Sequence, residues 1–548
     1  MVNPTTHISR MLVSQLLSVG VRDVVLAPGS RSAGLALAVA QAEQSGDLRL
    51  HVRIDEREAG FLALGIAKAS AGPVAVIVTS GTAVANVLPA VVEAYYSGVA
   101  LVIVTADRPA SSRGRMAPQT INQTGIFSDF VDSYIDLEIN PSAQSLERVR
   151  KSLRNTRGVR KLPVHINVQC DVPLVPESDD IEWAPEKTRE LVPESAEQIP
   201  ASHIEVPARG VMIIGDVTNP QDAQRAGQLA VQLGWPVLWE PSSNAFRCAT
   251  AISHGAIMVA HMPVPDAVMT VGTVGLSRSI LGLLRNTPEH ISIHLPSNAV
   301  DEPNPVGTAQ RILQEIPSAT NVVEPEWLEL WRQRSSTVEG IVSAALSGST
   351  LTGPSAARYV WNHASDSNQL VVASSWPVRH VEAYAPCRRG LTVLGNRGAN
   401  GIDGLISTAW GAALTQSQRT YLLMGDVAFL HGASGLNVSD DIVRPNLTIV
   451  VLDNDGGGIF SQLEQGAPDF QKHFEKVFGT PHGRDLWVIA ESYGVPATRV
   501  TTLPELDRVL HTTDRIPGVH VIVCTTGSRA DEFALMNTIS KQISQAFA

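Results

Sequence analysis

The chain is 548 residues long, carries a net charge of −11, and is 44% apolar and 17% charged. This composition excludes an intrinsically disordered chain and predicts three or four domains. The acidic balance and an aromatic content of 5% weigh against a nucleic-acid surface.

No apolar run is long enough to span a membrane. The N-terminus (MVNPTTHISR) lacks the apolar core of a signal peptide, so a cytoplasmic protein is expected. Cys170, Cys248, Cys387 and Cys524 are far apart and form no CxxC. They point to separate thiols in a reducing compartment, not to a zinc or redox centre. HExxH, GxSxG and GxxxxGK[ST] are missing, which removes the main sequence warrant for zincins, α/β-hydrolases and P-loop NTPases.

From the N-terminus, β-branched runs at 22–26, 74–79, 101–105 and 164–168 are near-continuously apolar, as parallel strands covered on both faces must be. Residues 28–32 (PGSRS) and 79–82 (TSGT) follow strands and open helices, where backbone N–H groups can hold an anion. A strand near 48–54 runs into Asp55-Glu56-Arg57-Glu58. Asp55 stands at an N-cap position and Glu58 at its N3 partner, while Glu56 in the first turn complements the helix dipole. Over 58–70, Ala59, Leu62, Ala63, Ile66 and Ser70 predict one buried helix face. Residues 148–161 (RVRKSLRNTRGVRK) spread basic side chains all round a helix, which predicts a solvated surface helix.

Residues 172–208 are rich in proline and glutamate without periodicity and predict a surface linker. A second strand–helix alternation has strands at 210–215, 236–239, 267–271 and 291–295, and a proline-bearing break near 316–326. A third has strands at 370–374, 391–394, 420–424, 447–452 and 519–524. The prediction is an α/β protein of three doubly wound parallel-sheet domains, over 1–180, 205–325 and 350–548. Ligands are expected at the carboxyl ends of the strands.

In the third block Gly425-Asp426 follows one strand, and Asp453-Asn454-Asp455-Gly456-Gly457-Gly458 follows the next. From Asp426 to Asn454 is 28 positions, about one βαβ unit, so a carboxylate and a carboxamide meet at one sheet edge. Hard oxygen donors beside a glycine run suit Mg²⁺ bridging a diphosphate, although turn chemistry alone also explains each loop.

These features resemble the thiamine-diphosphate-dependent enzymes, in which a Gly-Asp…Asn-x-Gly motif holds the diphosphate and metal and a glutamate opens a helix of an N-terminal α/β domain. Within that superfamily PGSRS, DERxxGFxALGxAK, TSGTAVAN, TADRP, NRGANGIDG and GGGIFSxL resemble the menaquinone-pathway branch. The strings run from residue 28 to residue 463 and cover both outer domains; the middle domain matches weakly. The resemblance implies pyrimidine-binding, central and diphosphate-binding domains, in a homo-oligomer whose active sites lie between chains. It implies thiamine diphosphate with Mg²⁺ (or Mn²⁺) as cofactors. It also implies decarboxylation of 2-oxoglutarate and 1,4-addition of the succinyl carbanion equivalent to isochorismate.

Residue by residue, the resemblance makes Glu56 the carboxylate facing the cofactor pyrimidine and Ile402 the aliphatic wedge that bends the cofactor. Ser375, Gly425, Asp426, Asn454, Gly456, Ile459 and Phe460 complete the cofactor set, with Asp426, Asn454 and Gly456 on the metal. Glu56, Gln119, Arg379 and Arg397 form the implied catalytic set. Ser375, Arg379 and Arg397 resemble contacts to the succinyl portion. Arg31, Ser32, Arg108, Gln119 and Arg278 resemble contacts to isochorismate, and Phe460 and Leu463 the lining of the acceptor ring. Core packing or a surface ion pair also explains Ile402, Phe460, Leu463 and any single arginine. Three positions depart from the pattern: Val427 follows Gly425-Asp426 where a glycine is usual, Asp453 replaces an asparagine, and Ser277 stands where some relatives have lysine. Two other readings share part of the pattern. One is another thiamine-diphosphate enzyme, a 2-oxoacid decarboxylase or acetolactate-synthase type; the other is a non-catalytic nucleotide-binding α/β protein.

Overall fold

The computed structural model describes residues 2–158, 160–177, 182–185, 202–297, 301–439, 442 and 444–548. Three parallel sheets dominate. The first runs, edge to edge, Arg49–Val52, Asp23–Leu26, Val74–Val78, Leu101–Asp107, Val164–Gln169 and Ser133–Leu137. The second runs Arg311–Leu313, Glu289–Ile293, Ala267–Val271, Gly210–Ile214 and Val237–Trp239. The third runs Thr392–Leu394, Gln369–Val372, Thr420–Gly425, Leu447–Asp453, Val519–Thr525 and Ala497–Val500. Numbered within their own sheets, the first and third share one strand order, 2-1-3-4-6-5. Each therefore reverses direction between its first and third strands, and that switch point is where doubly wound sheets take ligands.

The central strands are buried along their whole length, as their near-continuously apolar sequences predict. The edge strands Ser133–Leu137 and Ala497–Val500 escape the sequence reading because they are partly solvated and carry polar residues. The linker expected over 172–208 lies largely outside the described residues, but its far end is corrected. His203–Glu205 is a strand, paired with Ser318–Thr320 from the expected break at 316–326. That break is also cut short by a 22-residue helix, Pro325–Leu346.

Packing groups the chain into two compact units. One comprises Met1–Glu197 with Asp403–Gln416 and Ser434–Val443; the other comprises Gln198–Ile402, Ser417–Ala433 and Arg444–Ala548. The excursion 403–416 explains a further correction, at helix Glu56–Ser70. Ala59, Leu62, Ala63 and Ile66 are fully buried, but Ser70 is exposed, and Phe61, Leu64 and Ala67 on other faces are buried too. Helix Leu405–Ala413 covers the side that the sequence pattern leaves open. Glycines allow the close crossing: a Cβ on Gly65 would lie 2.0 Å from the Thr408 carbonyl oxygen, and one on Gly411 2.3 Å from that of Leu62. In an ordinary helix interior Gly→Ala is stabilising by roughly 1 kcal/mol. Here Gly65→Ala is expected to reverse that sign and destabilise by about 1–3 kcal/mol through overpacking. A raised thermal midpoint would contradict the crossing.

The remaining expectations concern the surface and the thiols. Helix Ala143–Asn155 buries Val149 and Leu153 and exposes Arg148, Arg150, Lys151 and Arg154, a solvated surface helix. All four cysteines are free, with Cys170 and Cys524 buried. Among the described residues no helix is long and apolar enough to cross a membrane.

Candidate active site

In the unit that holds the first sheet, Asp55 caps helix Glu56–Ser70. It accepts from the backbone N–H groups of Arg57 (2.9 Å) and Glu58 (3.4 Å) and from Ser434 Oγ (2.9 Å). Glu56 opens the helix half-exposed and accepts from Asn86 Nδ2 at 3.1 Å. Around it the strand-end loops knit together. Ser80 Oγ donates to the Gln119 carbonyl (2.9 Å) and Gln119 Nε2 donates back to the Ser80 carbonyl (3.1 Å). Arg108 donates to Thr120 Oγ1 (2.8 Å) and the Pro118 carbonyl (3.1 Å), beside Gln119. Arg31 donates to the Cys170 carbonyl (3.1 Å) and feels the charge of Arg108, while Ser32 is fully buried at its helix start. Arg31, Ser32, Arg108 and Gln119 thus share the carboxyl edge of one sheet.

Sequence reasoning reads Glu58 as half of a capping box, and the structure corrects this. Its side chain is buried, accepts from Ser407 Oγ at 2.5 Å and lies 3.3 Å from Arg57. Burial pushes its carboxyl up to about 7. An acid whose pKa rises on folding binds its proton more tightly in the native state. Its contribution is therefore full below about 4.5 and is lost as pH climbs through about 7. Glu58→Gln is expected to abolish that decline. Relative to wild type, the variant should gain up to ~3 kcal/mol between pH 5 and pH 8, read as a thermal midpoint that diverges upward with pH. Parallel profiles would contradict the buried acid.

In the other unit, a cavity of about 160 Å³ opens at the switch point of the third sheet. Ser375, Ile402, Gly425, Asp426, Asn454, Gly456, Ile459 and Phe460 all line it. Ser375 precedes helix Trp376–Tyr384 with φ +73°, a strained conformation that sets the loop after strand Gln369–Val372. Gly456, at φ +131°, admits no side chain: a Cβ would lie 2.0 Å from the Gly479 carbonyl oxygen. Ser374 Oγ and His380 Nδ1, both buried at the cavity wall, have no hydrogen-bond partner among the described residues. Burial holds His380 down at about 3, so it is neutral, stacked on Trp376 at 5.0 Å.

The oxygen donors anticipated for a metal meet here. Asp426 gathers the two strand-end loops by accepting from the backbone N–H groups of Val427 (2.7 Å), Asn454 (3.1 Å) and Gly456 (2.8 Å). Asn454 Nδ2 donates to Glu532 Oε2 at 3.0 Å, which fixes the amide and leaves Asn454 Oδ1 buried without a donor. Such an orphaned acceptor fits a cation. Asp453 and His482 stand close by, with His482 Nε2 3.4 Å from Asp426 Oδ2 and 3.6 Å from Asp453 Oδ1. Burial and the Asp426 charge push Asp453 up to about 6, the mark of a place short of positive charge. Glu532 and His482 went unnoticed in the sequence, since no motif links them to residues 78 and 56 positions away.

Both arginines expected at the succinyl portion are inward. Arg397 is 7% exposed and its Nε lacks a partner among the described residues; Arg379 donates to the Ser375 carbonyl (2.9 Å). Arg278 is placed differently. It is exposed and paired with the exposed Glu464 at 3.0 Å, next to Leu463.

A profile described as the N-terminal TPP-binding domain of thiamine pyrophosphate enzymes matches residues 6–126, and one for their C-terminal TPP-binding domain matches residues 377–524. A 2-succinyl-5-enolpyruvyl-6-hydroxy-3-cyclohexene-1-carboxylate (SEPHCHC) synthase of Thermobifida fusca is 39% identical over 539 residues, covering 93% of this chain and 94% of that one. The chain belongs to the SEPHCHC synthase family. The SEPHCHC synthase of Saccharopolyspora erythraea is 37% identical over 541 residues, covering 95% of each chain. A solved chain assigned to the thiamin diphosphate-dependent enzymes, isolated from Mycobacterium smegmatis, superposes with a TM-score of 0.63 at 16% identity, covering 94% of this chain and 98% of that one. It shows the shared fold. As a member of the SEPHCHC synthase family this chain is a thiamine-diphosphate enzyme, with Glu56 inside the first matched span and Asp426, Asn454 and Gly456 inside the second.

Proposed function

We propose that this protein catalyses the SEPHCHC synthase reaction of menaquinone biosynthesis, decarboxylating 2-oxoglutarate and adding the succinyl unit 1,4 to isochorismate. Family membership supports the chemistry, and one observation supports the substrate class: Arg397 is buried with an Nε–H that has no acceptor among the described residues, while Arg379 holds the carbonyl of Ser375, which lines the cavity of the cofactor set. An unpaired buried guanidinium donor calls for an anion, and a carboxylate matches its fork.

When bound, thiamine diphosphate supplies an acidic C2–H and an electron sink for the carbanion equivalent. Asp426, Asn454 Oδ1 and the carbonyl of Gly456 would hold Mg²⁺ (or Mn²⁺) on its diphosphate, since hard oxygen donors suit these ions. Glu56 holds a proton at the pyrimidine N1′. Ile402 would pack against the bound cofactor from the cavity wall, and Phe460 and Leu463 would exclude water near the acceptor ring. Arg379 and Arg397, with Ser375, bind the distal carboxylate of 2-oxoglutarate. Arg31, Ser32, Arg108 and Gln119 bind and orient isochorismate; Arg278 joins them only by exchanging Glu464 for substrate. The domain roles follow the family: pyrimidine-binding over 1–180, central over 205–325 and diphosphate-binding over 350–548. A homo-oligomer, in which the pyrimidine domain of one copy completes the site of another, is part of the same reading. The four free thiols support a reducing, cytoplasmic location.

Stoichiometry tests the proposal. With thiamine diphosphate and Mg²⁺, 2-oxoglutarate and isochorismate should disappear in equal amounts. Consumption of 2-oxoglutarate at the same rate without isochorismate would support the decarboxylase reading instead.

A further inference from the structure

Two buried acids stand against the two inward arginines. Glu240, after strand Val237–Trp239, is 3% exposed, and Glu382, on helix Trp376–Tyr384, is 5% exposed. Glu240 Oε1 accepts from the backbone N–H groups of Gly275 (2.7 Å) and Leu276 (2.8 Å). Its Oε2 is buried without a hydrogen-bond donor and lies 4.0 Å from Arg397 Nη2. Glu382 Oε2 accepts from Ser277 Oγ at 2.9 Å. Both carboxyl groups line one small cavity with Trp239 and Ile280. Arg379, one helical turn before Glu382, feels Arg397, Glu382, Glu240 and Arg278.

Charge counting constrains this cluster. If both acids were ionised, they would cancel both arginines and leave no attraction for an incoming carboxylate. Two carboxyl groups in a desolvated place with one another's charge instead retain a proton between them. Among these four side chains one positive charge then remains, which one substrate carboxylate neutralises. The hydrogen bonds divide the roles. Glu240, held by two N–H groups and facing Arg397, is the ionised partner. Glu382, whose named donor is a neutral hydroxyl, is the protonated one.

We propose that Glu240 and Glu382 are specificity-determining positioning residues: by holding one proton between them, they keep Arg379 and Arg397 aimed and net positive toward the distal carboxylate of the 2-oxoacid. The inference rests on the reading of those two arginines given under Proposed function. Burial raises both acids, and the charge of Glu240 raises Glu382 further, in support. The charged groups facing the pair are Arg397 and Asp216 at Glu240, and Arg379 and Arg397 at Glu382.

The test compares 2-oxoglutarate with 2-oxopentanoate, which carries a methyl in place of the distal carboxylate. The holoenzyme is used with saturating isochorismate, from pH 7 to pH 9. Loss of the shared proton should raise KM for 2-oxoglutarate on the order of ten-fold over this range, with KM for 2-oxopentanoate flat. Glu382→Gln, a fixed neutral mimic of the protonated acid, should flatten the 2-oxoglutarate profile without lowering the thermal midpoint, and Glu382→Asp should restore the rise. A residue of merely structural importance would shift both substrates together. Parallel wild-type profiles for the two substrates would overturn the inference even if Glu382→Gln failed to fold, and so would a rise that persists in Glu382→Gln. If wild type shows no preference for 2-oxoglutarate over 2-oxopentanoate, the assignment of Arg379 and Arg397 fails. If it prefers 2-oxoglutarate but the profiles run parallel, only the role of the acid pair fails.

Discussion

Glu56→Gln is expected to leave the fold intact and to lower turnover by about 10²–10⁴-fold, the usual weight of a positioned acid–base group. The fold should survive because Glu56 is half-exposed and its named partner is Asn86, 3.1 Å away. The amide keeps that contact and the helix start is still capped by Asp55. What it loses is the ability to hold a proton at the pyrimidine N1′. Turnover should therefore collapse while the thermal midpoint and cofactor affinity stay near wild type. Near-wild-type turnover would remove Glu56 from the mechanism.

Asp426→Ala is expected to act earlier, on cofactor capture. Its carboxylate accepts from three backbone N–H groups and binds the 426 and 454–456 loops together, so its loss removes a metal donor and the loop geometry at once. Altering a residue that merely supports a metal ligand costs roughly 10–100-fold in affinity; removing a ligand should cost at least that. Trp376 lines the cavity, so its fluorescence is the readout to follow on titration with thiamine diphosphate with and without Mg²⁺. Wild type should bind far more tightly with the metal, and Asp426→Ala should lose most of that difference. Undiminished metal-dependent affinity would show that the Asp426, Asn454 and Gly456 set is not the metal site.

The parts of this site that the sequence reveals are those made by short stretches of chain. The central strands are mostly apolar because both faces are covered, and the Asp55 cap and the Gly425–Asp426 and Asn454–Gly458 turns are local chemistry. What stays hidden depends on partners brought together by folding. Glu58 looks like half of a capping box until Ser407, 349 positions away, is seen to hold it. Asn454 gains its fixed amide from Glu532, 78 positions on. Arg278 resembles a substrate contact, yet it pairs with Glu464 across 186 positions. Glu240 and Glu382 carry no motif, and only folding brings both to face Arg397. Ser70 ends its helix and is exposed there, whereas the helix Leu405–Ala413 comes from a distant stretch and buries faces of Glu56–Ser70 that periodicity alone would leave to water.

The central claim is the joining of two substrates on one enzyme, and mass spectrometry of the product tests it most directly. The holoenzyme with Mg²⁺ is incubated with isochorismate and 2-oxoglutarate carrying ¹³C in the succinyl carbons. An adduct that retains the label should form only when both substrates are present. Labelled 2-oxoglutarate losing CO₂ with no label joined to isochorismate would contradict it.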